Sequence, residues 1–410
     1  MGLITTIILV LLCFSVTEFI LPSNKRIHEQ LYKVAFFVTF FLFTIKYYYG
    51  ADVINYYKVY NNIPNSFTDF FELTKRRYVF EEGFMYFMAL IKWLGFSYWW
   101  MTAIVSIIYF YAIYKLFELI PSYKILALFI LVVLEYNLIF ATHRQCLAVS
   151  FYILLYFAYI NKQYFRIILY SVLVVAMHKS GIVIIIPTLL LWFINYSVRR
   201  IDYLVSLILF IFMAIMPLQQ ILMKIVTVMP LSEGVRISLE HHILFSAESK
   251  AILLFYALIV FVLCIYTPIN NGVYKKMFSI VLIGSFYISL CYQYNAILWR
   301  VRSYFIPFLV VYFFYIYNNY KDDTKVVILE NFRSAKKIIT NSLFSVLFLC
   351  VIYIYYHAYM SNVENTSRIY ENSTVFDLLH KSEEEIKKDR LGRAAKYWKL
   401  EFKKKEKLKN

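Results

Sequence analysis

The sequence predicts an all-α fold, a polytopic transmembrane helical bundle, and three observations carry that reading. Of 410 residues, 61% are hydrophobic and only 16% charged, more apolar surface than a soluble core of ordinary proportions can hide. Apolar runs recur from residue 3 to residue 359 with short polar breaks. Most approach the roughly 20 residues that a helix needs to cross about 30 Å of hydrocarbon. The formal charge of +17 sits mainly in short loops and in the C-terminal tail, a bias that orients membrane helices and argues against nucleic acid as a partner. The five cysteines, Cys13, Cys146, Cys264, Cys291 and Cys350, all fall in or beside apolar runs, and no disulfide framework or metal-ligand spacing follows.

The elements follow in order. The first run, Leu3 to Leu21, lacks a basic leader and ends in SVTEFILPS without a small-x-small cleavage signal, so it is expected to stay as a helix. Lys25, Arg26 and Lys33 place the next segment in the cytoplasm and the N-terminus outside. A second span, Tyr32 to Tyr49, then delivers residues 50–82 to the outer face. The run GFMYFMALIKWLGF is too short, and too interrupted by Lys92, for a crossing. A re-entrant or interfacial helix there brings the later loops into register. Further spans are expected near 98–119, 125–141, 146–160, 167–178, 181–196, 203–217, 251–266, 277–292, 303–317 and 338–358, about twelve crossings in all.

Charges not used to build this threading agree with it. Lys162 and Arg166, Arg199 and Arg200, Lys275 and Lys276, and the Lys321–Lys337 loop all fall on the cytoplasmic side. The outer side receives Arg144, His178, the loop 217–250 and the segment Gln293–Ser303. Residues 1–360 thus read as one integral membrane domain with outer loops 50–82 and 217–250, and residues 361–410 as a charged tail. The threading puts that tail outside, against its basic character. Its stretch Asp377 to Lys409 has helix-forming composition and mixed charge, which predicts a solvated or membrane-surface helix.

Tyr136 to Pro187 is the most informative stretch, because it sets Arg144 and His178 at the ends of apolar runs. A cation near hydrocarbon costs roughly 2.5 to 3.5 kcal/mol on insertion scales, so a site explains the pair better than packing does. The plainer alternatives are a snorkelling Arg144, a His178 bonded to backbone carbonyls at a helix end, and an Asp52 that only caps the helix after Gly50. His241 and His242, with Glu240 and Glu248, show no known ligand spacing and read as solvated loop polarity. Asp322 and Asp323 fall among cytoplasmic lysines and read as a charge-balanced loop. Tyr56 and Tyr57, near the outer face, suit the lining of a glycan groove.

The pattern HRQCLAVSFYILLY, followed downstream by AMHKSGIVIIIP, resembles the arginine and histidine signatures of the EpsG branch of Wzy-type polysaccharide polymerases. Upstream, FTIKYYYGADVINYYKVY resembles that family's R-Y-x-x-G-x-D-x-x-x-Y segment, and FEEGFMYFMALI its E-P-G-F segment; downstream, WRVRSYF is similar to its late arginine before an aromatic pair. The resemblance runs in order over residues 32 to about 310. Lys46 stands where the family shows arginine, keeping the charge but losing the planar fork, and Glu82 stands where it shows proline.

This resemblance implies a GT-C-like membrane glycosyltransferase on the outer face of the bacterial cytoplasmic (inner) membrane. It would join oligosaccharide repeat units into a surface polysaccharide such as O-antigen, capsule or exopolysaccharide. Donor and acceptor would both be oligosaccharides on undecaprenyl diphosphate, with membrane lipid, a flippase and a chain-length regulator as partners. Breaking a glycosyl diphosphate bond leaves negative charge on the diphosphate, which suits Arg144 and Arg300, supported by Lys46 and Arg302. Asp52 and His178 are the candidates for the base and the acceptor-orienting group, in either assignment. Tyr56, Glu81, Gln145 and Ser180 complete the expected substrate contacts. No metal or cofactor is expected, since cationic side chains can supply that electrostatic work. Three rivals stand beside this reading: a lipid-linked oligosaccharide flippase, a glycan ligase with another acceptor, and a solute transporter.

Overall fold

The computed structural model describes residues 3–20, 25–47, 51–75, 80–216, 224, 226, 272–291, 300–322 and 375–407. Among these residues the chain is helical, with no β-strand. The helices are α1 (Leu3–Ile20), α2 (Lys25–Thr44), α3 (Ala51–Asn62), α4 (Phe67–Lys75), α5 (Glu82–Trp93), α6 (Tyr98–Phe117) and α7 (Lys124–Ala141). They continue with α8 (His143–Ile160), α9 (Tyr164–Met177), α10 (Gly181–Phe193), α11 (Arg200–Ile215), α12 (Gly272–Cys291), α13 (Ile306–Asp322) and, after a 3-10 turn at Val375–Leu379, α14 (Glu383–Lys407). The spans expected at 251–266 and 338–358, and the His241–His242 group, lie outside the described residues.

α7 is the axis of the bundle. It is apolar all round and buried along nearly its whole length, which is the pattern of a core helix. α1, α2, α8 and α13 pack against it. Its start is tied to the neighbouring helices by polar contacts: the Leu126 N–H donates to the Glu18 carboxylate at 3.4 Å, and Lys124 bridges Glu29 at 3.0 Å. α6 and α7 are long and apolar enough to cross a bilayer, and shorter apolar segments lie in α1, α9, α10, α11 and α13. The outward faces of α9, α10 and α11 are apolar; Phe193 is 87% and Ile215 79% exposed. A surface of that kind fits lipid and not water.

Polar contacts inside the bundle repair its irregularities. Pro187 interrupts α10 and cannot donate to the Val183 carbonyl, and the Tyr287 hydroxyl of α12 donates to that carbonyl instead, at 2.7 Å. Between α11 and α12, Ser289 donates to the Ser206 backbone carbonyl at 2.9 Å, the small-residue contact typical of close helix packing.

The largest boundary difference from expectation is at α2. The second span was expected over 32–49, but α2 runs from Lys25 to Thr44, because the polar stretch KRIHEQLYK is built of helix formers and extends the helix before the apolar run begins. Lys46 therefore lies past the helix end. α5, expected as a non-crossing helix, has 12 residues, about 18 Å of length. The tail helix α14 is not simply solvated: Ile386, Arg390 and Ala394 are buried on one of its faces, and it packs on α3.

Candidate active site

A helical hairpin brings Arg144 and His178 to one end of the molecule. α8 starts at His143, the turn at 161–163 reverses the chain with Lys162 in the left-handed region (φ 55°), and α9 returns alongside α8 as far as Met177. At His178 the backbone is extended (φ −153°, ψ 121°), which ends α9, and α10 restarts at Gly181. The first turn of α8 and the end of α9 are thus neighbours.

Glu81 enters from α5 as its N-cap residue. The start of α5 can approach α9 because residue 83 is glycine. A Cβ there would sit 2.5 Å from the Ala176 Cβ and 2.6 Å from its carbonyl oxygen, closer than any side chain tolerates. The Glu81 carboxylate lies between the two helix ends. One oxygen accepts from the Arg144 guanidinium in a close ion pair. The other accepts the Lys179 backbone N–H at 3.3 Å and lies 3.9 Å from His178 Nδ1.

Arg144 is held on its other side by aromatic groups. Its Nε donates to the Tyr56 hydroxyl at 3.4 Å, and its guanidinium carbon lies 4.7 Å from the centre of the Phe80 ring. His178 Nδ1 accepts from the Ser180 backbone N–H at 3.2 Å and contacts the Ser180 hydroxyl at 2.8 Å, and that hydroxyl lies 3.3 Å from the Tyr304 hydroxyl. A ring nitrogen that accepts a backbone N–H carries no proton, so the neutral ring has its proton on Nε2. Burial pushes the His178 pKa down to about 4, which Arg144 and Arg300 reinforce and Glu81 opposes. Burial alone would raise Glu81, but Arg144 and His178 outweigh it and hold this carboxyl below its ordinary range.

Asp52, in the first turn of α3, is half-buried and within electrostatic reach of Arg144 and Arg300. Burial raises its carboxyl above the usual range, and the two arginines restrain the rise. The structure thus gathers Arg144, Glu81, His178, Ser180, Tyr56, Asp52 and Arg300.

Three side chains expected to touch substrate are occupied within the protein. Lys46, 3% exposed, donates to the Ile139 carbonyl at 2.6 Å. The Gln145 amide donates to the Arg300 carbonyl at 2.6 Å. Arg302, 8% exposed, lies within electrostatic reach of Glu135 in α7. Two functional-looking residues escaped the sequence reading. His143 is fully buried and stacks on Tyr56 at 5.3 Å, directly behind the Arg144 contact. Glu135, also fully buried, was signalled by an acid standing in the apolar run LVVLEYNLIF, a signal that attention to arginine and histidine passed over.

Residues 30–371 match the EpsG family. The chain belongs to the EpsG family. No curated protein and no solved structure matches it. Membership, together with the apolar helices, makes this EpsG-family chain a membrane protein with a general role in polysaccharide polymerisation. Glu81 and Gly83 sit in the segment resembling the E-P-G-F signature, and their contacts with Arg144 and Ala176 give that segment a physical purpose here.

Proposed function

We propose that this EpsG-family chain polymerises undecaprenyl-diphosphate-linked oligosaccharide repeat units on the outer face of the bacterial cytoplasmic membrane. The reading keeps about twelve crossings, the GT-C-like class, and a flippase and chain-length regulator as partners. One observation carries it: Arg144, paired with Glu81 beside a neutral His178, has Asp52 and Arg300 within electrostatic reach at the same end of the bundle.

The acceptor hydroxyl attacks the anomeric carbon of the donor glycan, a new carbon–oxygen bond forms, and the bond from that carbon to the diphosphate oxygen breaks. The electron pair leaves with undecaprenyl diphosphate, and the hydroxyl proton goes to Asp52. Burial makes Asp52 a stronger base than an ordinary carboxylate, while Arg144 and Arg300 keep its ionised form accessible. Arg144 and Arg300 receive the developing diphosphate charge, and the diphosphate takes the place of Glu81 on the Arg144 fork. His178 is the poorer base, because Nδ1 is already accepting from Ser180; its Nε2–H donates to a substrate oxygen.

The test is complementation of a producing strain that lacks its own copy. Arg144→Ala and His178→Ala are expected to insert normally and to leave single repeat units on the surface carrier in place of a long-chain ladder. Units retained inside the cell would indicate a flippase, and a normal ladder from either variant would overturn the assignment.

A further inference from the structure

We infer that Glu135 is a positioning residue for Arg300: together with Gln145 it fixes the turn that carries this arginine to the mouth of the site. The inference rests on the proposed role of Arg300 at the leaving diphosphate. Glu135 is 0% exposed and stands where α7 leaves helical geometry (φ −122°, ψ 17°), so a buried acid and a break in the axis of the bundle coincide at one residue. A buried acid in an apolar run is costly, and replacing a buried ionic group by a hydrophobe is often neutral or stabilising.

Its contacts point to one segment. One carboxylate oxygen accepts from the Ser303 hydroxyl at 2.8 Å, and Arg302 brings a positive charge beside it. The Gln145 amide holds the Arg300 carbonyl at 2.6 Å. Between these ties the backbone closes on itself, with the Tyr304 N–H donating to the Val301 carbonyl at 3.2 Å and the Phe305 N–H to the Arg302 carbonyl at 2.8 Å. A second close approach confines the turn from behind: a Cβ at Gly284 of α12 would meet the Phe305 ring at 2.6 Å. The turn is therefore pinned from α7, α8 and α12, while the Arg300 side chain stays exposed and within reach of Asp52 and His178. Side chains on α7 and α8 thus aim an arginine that neither helix carries.

The test uses the full chain in a producing strain lacking its own copy, with membrane yield read by immunoblot and polymer by its ladder. At normal yield, Glu135→Gln, which keeps an acceptor for Ser303 but drops the charge beside Arg302, is expected to lose about tenfold in long chains. Glu135→Ala is expected to lose on the order of 100-fold, the scale of a small displacement of a catalytic group. In an Arg300→Lys background neither change should add a further loss. Losses that multiply with Arg300→Lys, or a normal ladder from Glu135→Ala, would overturn the inference. Where Glu135→Ala lowers yield, Ser303→Ala replaces it under the same criteria. Where Arg300→Lys leaves no chains to measure, the rate of maleimide labelling of Arg300→Cys in a cysteine-free chain decides: an unchanged rate with Glu135→Gln overturns the inference, and a changed one supports it. A normal ladder from Arg300→Ala would instead remove Arg300 from the reaction and take the inference with it.

Discussion

Arg144 and Glu135 stand on the consecutive helices α8 and α7, yet their surroundings differ in kind. Arg144 is partly exposed, and its partners Glu81, Tyr56 and Phe80 come from outside its own helix. Glu135, Lys46, His143 and Arg302 are buried among groups of the protein itself. A charge in an apolar run therefore marks a place where the chain accepts a cost, but access decides whether substrate or scaffold receives the benefit.

The sharpest way to break this comparison is to change the cation on each of its two sides. Arg144→Lys should lose about 100-fold or more in long-chain polymer, because an ammonium cannot span Glu81 and Tyr56 as the guanidinium fork does. Lys46→Met should keep the polymer ladder and lose about 1 to 3 kcal/mol of stability, since its Nζ serves the buried Ile139 carbonyl. Thermal unfolding of the purified proteins beside the cellular ladder measures both effects. A lost ladder from Lys46→Met at normal yield would erase the distinction.

A smaller effect is expected from glycines. Gly83→Ala forces α5 away from α9 and should separate Glu81 from His178, reducing polymer about tenfold, whereas Gly392→Ala has open space and should leave polymer unchanged. The second change should raise the helicity of α14 slightly, by about 0.5 to 1 kcal/mol of propensity. Ladder densitometry on the two variants compares them directly.

The smallest effect is a pH dependence. His178 has its folded pKa pushed down to about 4 from 6.5, so it contributes no stability change above pH 6.5, and stability falls as pH drops from there toward 4. Glu81, held below its ordinary range, acts in the same direction as its carboxyl protonates. Asp52, raised by burial, acts in the opposite direction, so the His178 share is read by difference: His178→Asn should lose less melting temperature than the parent chain between pH 6.5 and 4.

Much of this was legible in the residues. Arg144 and His178 mark the ends of consecutive apolar runs, and two such runs joined by a short turn must return the chain to one face. Among the described residues the apolar helices lie near the runs that hydropathy marks, apart from α2, where helix-forming polar residues lengthened the element beyond its apolar part. Direction was not legible. Nothing in the local sequence says that Lys46 and Arg302 turn inward while Arg300 stays exposed, since all are cations near run ends. Nor could spacing reveal that Glu81 meets both Arg144 and His178, a contact made across three elements and allowed by a missing side chain at Gly83.

The central claim is that the Arg144–Glu81–His178 cluster opens to the cell exterior and holds a lipid diphosphate. Single cysteines at Ser180 and Asn55, placed in an otherwise cysteine-free and still active chain, can be labelled in intact cells with a membrane-impermeant maleimide, with and without added undecaprenyl diphosphate. The account predicts labelling from outside at both positions, and slower labelling at position 180 when the lipid is present. Labelling only after permeabilisation, or a rate at position 180 indifferent to the lipid, would contradict it.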